Sequence, residues 1–146
     1  MITAKIKHDC KEELREMDLR ATPTRIAIMQ LLEKTKNPID VSMILDYLKK
    51  NDINVDPATV FRIMNAFTAK GLVSPIAFQE GKMRYELGSK EDHHHLICQK
   101  CGLIQDIEDN VIPALEKHIG IKHNFKVQRH SLEFFGLCQN CQKQYE

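Results

Sequence analysis

Residues 56–70 read DPATVFRIMNAFTAK, and this stretch decides the fold of the N-terminal half. Asp56 before Pro57 has the pattern of an N-cap followed by proline in the first helical turn, and Gly71 occupies the position that commonly ends a helix. Apolar residues recur at helical spacing along it: Val60, Ile63, Met64 and Phe67. The stretch therefore predicts an amphipathic helix over residues 58–70 with these side chains buried.

The flanking sequence places this helix within a larger motif. Three helices are predicted before it: one starting near Lys11, one from Thr22-Pro23 to about residue 34, and one over residues 41–50. After Gly71 the hydrophobic period changes, and two short strands enclose a turn at Gly81. Helix, turn, helix and hairpin in this order predict a winged helix-turn-helix, in which residues 58–70 would enter the major groove of DNA.

The polar face of this helix carries candidate DNA contacts. Arg62 can bind a guanine edge with two hydrogen bonds, and Thr59 with the helix N-terminus can hold a phosphate. Arg20, Arg25, Lys82 and Arg84 would neutralise further phosphates. On an isolated helix these side chains would form an ordinary solvated face; their position on the second helix of the pair favours DNA binding.

Two CxxC motifs give the strongest chemical signal. Cys98 and Cys101 form the first, Cys138 and Cys141 the second, and residues 102–137 separate them. Two such turns brought together make the closed four-thiolate site that structural Zn²⁺ prefers. Redox dithiols are the alternative, but no thioredoxin-like context accompanies them. Cys10 lies outside the pattern and is expected to be an ordinary helix thiol.

A run of Asp92, His93, His94 and His95 precedes the first CxxC motif. In a strand, His93 and His95 project to one face while Asp92 and His94 project to the other, so the run can serve two metal sites. Glu86 and Asp106 are candidates to complete the first site. His130, with Glu116 or His123, is a candidate for the second. Such mixed nitrogen and oxygen donors leave Zn²⁺, Fe²⁺, Mn²⁺ and Ni²⁺ open.

The composition is that of an ordinary globular protein rather than a membrane or secreted protein. The 146 residues are 42% hydrophobic and 28% charged, with a net charge of +1. They contain no run long enough to span a bilayer and no secretory signal, which predicts a cytoplasmic location. Neither an HExxH motif nor a nucleophile motif occurs, so a zinc-dependent enzyme is the less favoured function.

The chain is predicted to be α+β with two domains. Residues 1–87 form the winged-helix DNA-binding domain, residues 88–92 a polar hinge, and residues 93–146 an α/β domain. In the second domain we expect strands on either side of the first CxxC motif and a helix over residues 110–118. Alternation at Phe125, Val127, Arg129 and Ser131 predicts a further strand, which continues through residues 132–137.

Taken together, these segments resemble the ferric uptake regulator (Fur) family of metal-dependent bacterial repressors. The likeness rests on LRATPTRIAIMQLL, DPATVFRIMNAFTAKGLV, HHHLICQKCG and HSLEFFGLCQNC, and it covers nearly the whole chain. It implies a homodimer that binds a double-stranded DNA operator through the winged helices, with the second domain serving dimerisation. It also implies structural zinc at Cys98, Cys101, Cys138 and Cys141.

The resemblance further implies two sensor sites. The regulatory site maps onto Glu86, His93, His95 and Asp106, and a second site onto Asp92, His94 and His130, with Glu116 as a possible fourth ligand. The winged-helix prediction, for its part, makes Arg20, Thr59, Phe61, Arg62 and Asn65 the candidate DNA-binding residues. The chain departs from the family pattern at Asn37-Pro38, where a histidine ligand is usual, so that water, Asp40 or His8 would have to replace it. The usual glutamate of the second site falls at Pro113, and Glu116 lies about one helical turn later.

The sensed metal is less closely specified. Asp106 resembles the peroxide-sensing branch, in which bound Fe²⁺ oxidises a histidine ligand, whereas the zinc-sensing branch often has a hinge cysteine that residues 88–92 lack. The expected regulatory metal is therefore Fe²⁺, Mn²⁺ or Zn²⁺, with iron or peroxide sensing ahead of zinc-responsive (Zur-like) repression.

Overall fold

The structure is a computed structural model that describes residues 9–77, 81–88, 93–108 and 111–144. The chain divides into two compact units, Met1–Ser89 and Lys90–Glu146. Within the described ranges, no helix is both long and apolar enough to cross a membrane.

Four helices and a hairpin make up the N-terminal unit. They are α1 (Cys10–Glu16), α2 (Pro23–Lys34), α3 (Val41–Lys50), α4 (Pro57–Ala69), β1 (Val73–Ala77) and β2 (Met83–Leu87). Thr22, Asp40 and Asp56 cap α2, α3 and α4 by accepting a hydrogen bond from a backbone N–H three residues ahead. These bonds satisfy amides that a helix start leaves unpaired, so the predicted starts at Thr22 and Asp56 are confirmed.

The core of this unit lies between the helices and the hairpin. The four apolar side chains predicted for the inner face of α4 are all buried, and Phe67 is fully inaccessible. The same core includes Leu14 of α1, Ile28 of α2 and Ile44 of α3. The hydrophobic spacing in the sequence therefore predicted correctly which face of α4 packs inward and which remains for a partner.

The hairpin is tied to the start of α3. β1 and β2 pair antiparallel, with Val73 opposite Leu87 and Ala77 opposite Met83. Ile39 adds an isolated bridge to the hairpin: its N–H donates to the Tyr85 carbonyl at 2.9 Å and its carbonyl accepts from the Tyr85 N–H at 2.7 Å. Helices α3 and α4 followed by this hairpin confirm the winged helix-turn-helix prediction.

Gly88 leaves the hairpin through a close backbone crossing. Its N–H donates to the Leu72 carbonyl at 2.9 Å, and a Cβ at this position would lie 2.2 Å from the carbonyl oxygen of Gly71. Gly71 itself has a φ of +74°, which a residue with a side chain rarely adopts. Two glycines therefore let the chain cross directly over the end of α4.

The C-terminal unit is a small α/β arrangement. Its elements are β3 (His94–Cys98), β4 (Ile104–Ile107), α5 (Val111–His123), β5 (Glu133–Gly136) and α6 (Gln139–Gln142). β3 is the central strand, with β4 antiparallel on one side and β5 parallel on the other. The parallel pair brings the ends of β3 and β5, and hence the two CxxC motifs, to the same edge of the sheet.

Two expectations for this unit need correction. The predicted strand through Phe125, Val127, Arg129 and Ser131 is wrong, because residues 125–132 form no helix or strand. β5 begins only at Glu133, opposite His95, and β3 begins at His94, so an earlier start would have no strand to pair with among the described residues. Helix α5 is longer than predicted and continues to His123, with Pro113 in its first turn.

Candidate metal centres and nucleic-acid interface

The four cysteines of the CxxC motifs meet at the edge of the sheet. Cys98 ends β3 opposite Gly136, the turn after Cys98 closes with Gly102 at a φ of +76°, and Cys138 caps α6. The sulfur atoms of all four lie within 4.8 Å of one another. The strand pairing therefore brings together side chains that are distant in sequence.

The geometry of this cluster fits tetrahedral zinc. The Sγ atoms of Cys101 and Cys138 are 3.7 Å apart, and Zn–S bonds of about 2.3 Å in a tetrahedron require sulfur separations of about 3.8 Å. The backbone N–H of Cys138 also donates to the Cys98 sulfur at 3.3 Å, as expected beside a thiolate. Four sulfur donors without a nitrogen or oxygen ligand indicate a closed structural site.

The thiols differ in how readily they lose a proton. Hydrogen bonds from the backbone N–H groups of Cys101 and Cys138 lower the pKa of the Cys98 thiol to about 6. Burial, followed by hydrogen bonding to the neighbouring thiols, raises the pKa of Cys141 to about 12. At neutral pH Cys98 is thus ready to ligate, whereas Cys141 must lose its proton when metal binds.

A second group of candidate ligands lies at the start of β3. His95 and Asp106 are directly opposite each other on β3 and β4, and His95 Nε2 lies 3.6 Å from the Asp106 carboxylate. The His93 ring meets the His95 ring edge-on, with centroids 4.8 Å apart. His95 is only 3% exposed, while Asp106 reaches solvent. Three of the four residues predicted for the regulatory site are therefore neighbours in the C-terminal unit, and Glu86 lies on β2 of the other unit.

The second sensor set also has neighbours in the structure. The rings of His94 and His130 lie 4.9 Å apart, and His130 Nδ1 is 2.6 Å from the Glu116 carboxylate on α5. His94 is buried. His123, the alternative to Glu116, is exposed at the end of α5. Asp92 lies outside the described residues, as does His8.

Asp40, one of the candidates to replace the ligand missing at Pro38, already caps α3 and forms an ion pair. One of its carboxylate oxygens accepts from the Met43 N–H at 2.9 Å, and the other lies 3.9 Å from Lys82 Nζ. Its side chain is mostly buried by these contacts. The caps at Thr22 and Asp56 were predicted because a proline follows each of them, whereas Asp40 is followed by Val41, so the cap of α3 was not predicted.

The outer face of α4 presents the predicted recognition residues. Phe61 is 47% exposed, Arg62 and Asn65 are exposed, and Thr59 is half-buried. Because Phe61 is an exposed apolar side chain on an otherwise polar helix face, it can contact thymine methyl groups in the major groove. The interface thus combines one apolar and several polar side chains.

Two other cationic residues that were predicted to contact phosphates, Arg25 and Arg84, donate hydrogen bonds to backbone carbonyls within the protein. Arg20 is exposed, and its carbonyl accepts from the Arg25 side chain at 3.2 Å. Arg84 is half-buried and donates to the Pro38 carbonyl at 3.3 Å. The Arg84 contact ties the wing to the loop before α3, a connection that the sequence pattern did not indicate.

Comparisons with known proteins agree with these features. A model of the family described as "Ferric uptake regulator family" matches residues 16–135. The ferric uptake regulation protein of Legionella pneumophila is 34% identical over 132 residues, which cover 90% of this chain and 97% of that protein. The crystal structure of the Vibrio cholerae ferric uptake regulator aligns with a TM-score of 0.79 at 30% identity, over 89% of this chain and 100% of that one. The Francisella tularensis regulator, solved with iron, gives a TM-score of 0.77 at 30% identity, over 85% and 95%.

Proposed function

Because the chain belongs to the ferric uptake regulator family, we propose that it is a transcriptional repressor that binds its DNA operator when its sensor domain holds Fe²⁺ or a similar divalent metal. The observation that carries this proposal is the buried His95 beside Asp106 and His93, on the same strand that ends in the four-cysteine cluster. Family membership supports a regulatory rather than a catalytic use of the metal.

The regulatory site would draw ligands from both units. Glu86 contributes a carboxylate from β2, and His93, His95 and Asp106 contribute from the C-terminal unit. A bound divalent cation would supply a shared point of attachment, which limits the angles between the units. Two winged helices must match two half-sites at once, so limiting these angles reduces the ordering cost of DNA binding. A coupling of about 1–3 kcal/mol is typical of such switches, which is roughly 5- to 150-fold in affinity.

We assign the second sensor site to Asp92, His94, Glu116 and His130. The short His130–Glu116 contact and the packing of His94 on His130 support this assignment. Glu116 stands one helical turn beyond Pro113, so α5 supplies its carboxylate from a different turn than the family pattern uses.

The surface of the C-terminal unit supports a homodimer. Helix α5 has no fully buried residue, and Val111, Leu115 and Ile119 form an exposed apolar stripe with a spacing of four residues. Leu96 and Phe134, neighbours across β3 and β5, are exposed as well. An apolar stripe of this kind requires cover, and a second copy of the same surface supplies it with two-fold symmetry. A dimer of this symmetry suits a palindromic operator.

The proposed DNA target also indicates the cellular compartment of the protein. Arg20, Thr59, Phe61, Arg62 and Asn65 would contact an operator, with α4 in the major groove. Bacterial DNA lies in the cytoplasm, and we therefore assign the protein to that compartment.

Anaerobic fluorescence anisotropy tests the proposal. Zinc-loaded protein is titrated against a labelled duplex from the region upstream of its own gene, with Fe²⁺, Mn²⁺ or Zn²⁺ added separately. Fe²⁺ or Mn²⁺ should raise affinity by roughly 5- to 150-fold, as a typical coupling predicts. A response to Zn²⁺ alone would instead establish the zinc-responsive alternative.

Variants locate the responsive site. His93→Ala with His95→Ala should abolish the metal response while operator binding stays at the metal-free level. His118→Ala removes an exposed imidazole of α5 that belongs to neither predicted site, and it should leave the response intact. A double variant that is still stimulated by metal would show that the regulatory site lies elsewhere.

A further inference from the structure

Three polar side chains spaced three residues apart line the start of α4. Asp56 accepts a hydrogen bond from the Thr59 N–H at 2.7 Å, and Arg62 Nη2 donates to the Thr59 hydroxyl at 3.3 Å. Hydrogen bonding from the Thr59 side chain, and then from its N–H, lowers the pKa of the Asp56 carboxyl. The Thr59 hydroxyl therefore accepts a hydrogen bond from the Arg62 guanidinium, and the Thr59 N–H donates to the Asp56 carboxylate.

This arrangement conflicts with a role for Thr59 in binding phosphate. The Thr59 N–H, which a phosphate at the helix start would need, is already donated to Asp56. The Asp56 carboxylate also places a negative charge where that phosphate would lie. A different role for the Thr59 hydroxyl is therefore indicated.

We infer that Thr59 is a positioning residue, which holds the Arg62 guanidinium in the orientation that reads a base edge in the operator. This inference rests on the proposed function. A free arginine side chain has many rotamers, and its guanidinium recognises phosphate groups as well as nucleic-acid bases. Guanine recognition requires the planar guanidinium to present two N–H groups together. The Thr59 contact engages one nitrogen of Arg62 and leaves most of its five donors available.

Two substitutions at Thr59 separate the hydroxyl from the rest of the side chain. Thr59→Val preserves shape and keeps the backbone N–H for Asp56, while Thr59→Ser keeps the hydroxyl. Thr68→Val is the matched control, because Thr68 lies on the same helix and its hydroxyl donates to the Met64 carbonyl instead. Thermal melts of all three variants check that the fold is retained.

The readout is the ratio of affinities for the operator and for a scrambled duplex, measured at several salt concentrations with the activating metal present. Thr59→Val should lower this ratio roughly 5- to 20-fold, a part of the discrimination that an arginine–guanine pair supplies. Its affinity for the scrambled duplex and its salt dependence should not change. Thr59→Ser and Thr68→Val should keep the wild-type ratio, and Thr59→Val should add little to Arg62→Ala.

Other outcomes overturn the inference in distinguishable ways. Equal loss of affinity on both duplexes, with a shallower salt dependence, would make Thr59 a phosphate ligand. If Thr59→Val keeps the wild-type ratio of affinities, the Thr59 hydroxyl takes no part in operator recognition. Failure of the unmodified protein to prefer its operator in any metal state would refute the proposed function, and the inference with it.

Discussion

Replacing Cys141 with Ser should unfold the C-terminal unit and leave the N-terminal unit intact. Among the residues that the structure describes in that unit, the buried hydrophobic side chains other than cysteines are Ile97 and Ile104. Each contributes about 1.5–3 kcal/mol, hence roughly 3–6 kcal/mol together. Structural zinc in small domains binds with an apparent free energy of about 10–16 kcal/mol. The metal therefore stabilises the unit more than these side chains do, and the unit should not stay folded without it.

Zinc analysis and hydrogen exchange of the full-length chain measure this effect. Cys141→Ser should lose stoichiometric zinc, and amides of β3 and β5 should exchange rapidly while those of α2 and α4 keep wild-type protection. Cys10→Ser is the matched control, because Cys10 is a buried thiol of the N-terminal unit outside the cluster. Protected β3 amides in a zinc-free Cys141→Ser protein would refute the reasoning, since the fold would then not depend on metal.

Three further predictions concern the N-terminal unit. Phe67→Ala should cost about 3–5 kcal/mol in urea unfolding because the side chain is fully buried, whereas Phe61→Ala on the same helix should barely change unfolding yet weaken operator binding in anisotropy titrations. Gly88→Ala should lower stability by about 1–3 kcal/mol, because its Cβ would lie 2.2 Å from a backbone carbonyl oxygen; Gly136→Ala, with open space around it, should melt as the wild type does. Asp40→Asn should retain the metal response because Asn also caps helices, and loss of the response would identify Asp40 as a metal ligand.

Local signals predicted the N-terminal helices well. In α4, the cap at Asp56, the proline after it and the spacing of four apolar residues all act within one helix. No information from distant parts of the chain is needed to decide which side is buried. The exposed face, which we propose binds DNA, follows from the same pattern.

The strand prediction was wrong where the formation of the strand depends on a pairing partner. Residues 125–131 alternate as a strand does, but alternation does not supply a pairing partner, and β5 starts only where β3 is available at His95. The bridge between Ile39 and Tyr85 was missed for the converse reason: no local pattern marks one residue that pairs across a distance of 46 positions with a wing strand.

In the candidate sites, too, the sequence predicted the features that are set locally and missed those that depend on side-chain conformation. CxxC spacing identified the four cysteines because each half of the site is local. The contact of Glu116 with His130 was expected from the family resemblance, which places a carboxylate one helical turn earlier, at Pro113. The contact between Thr59 and Arg62 depends on side-chain torsion angles, and several rotamers were compatible with the sequence. What Thr59 does could therefore be inferred only from the structure.

Strand β3 has a consequence for how the protein matures in the cell. It begins with His94 and His95 and ends with Cys98, so one five-residue strand joins the proposed sensing ligands to the zinc cluster. On the proposed function, newly made chains would have to acquire zinc before these histidines are arranged to respond to a second metal. Zinc supply during synthesis would then set how many molecules can report on the other metal, and cells short of zinc would accumulate chains insensitive to it.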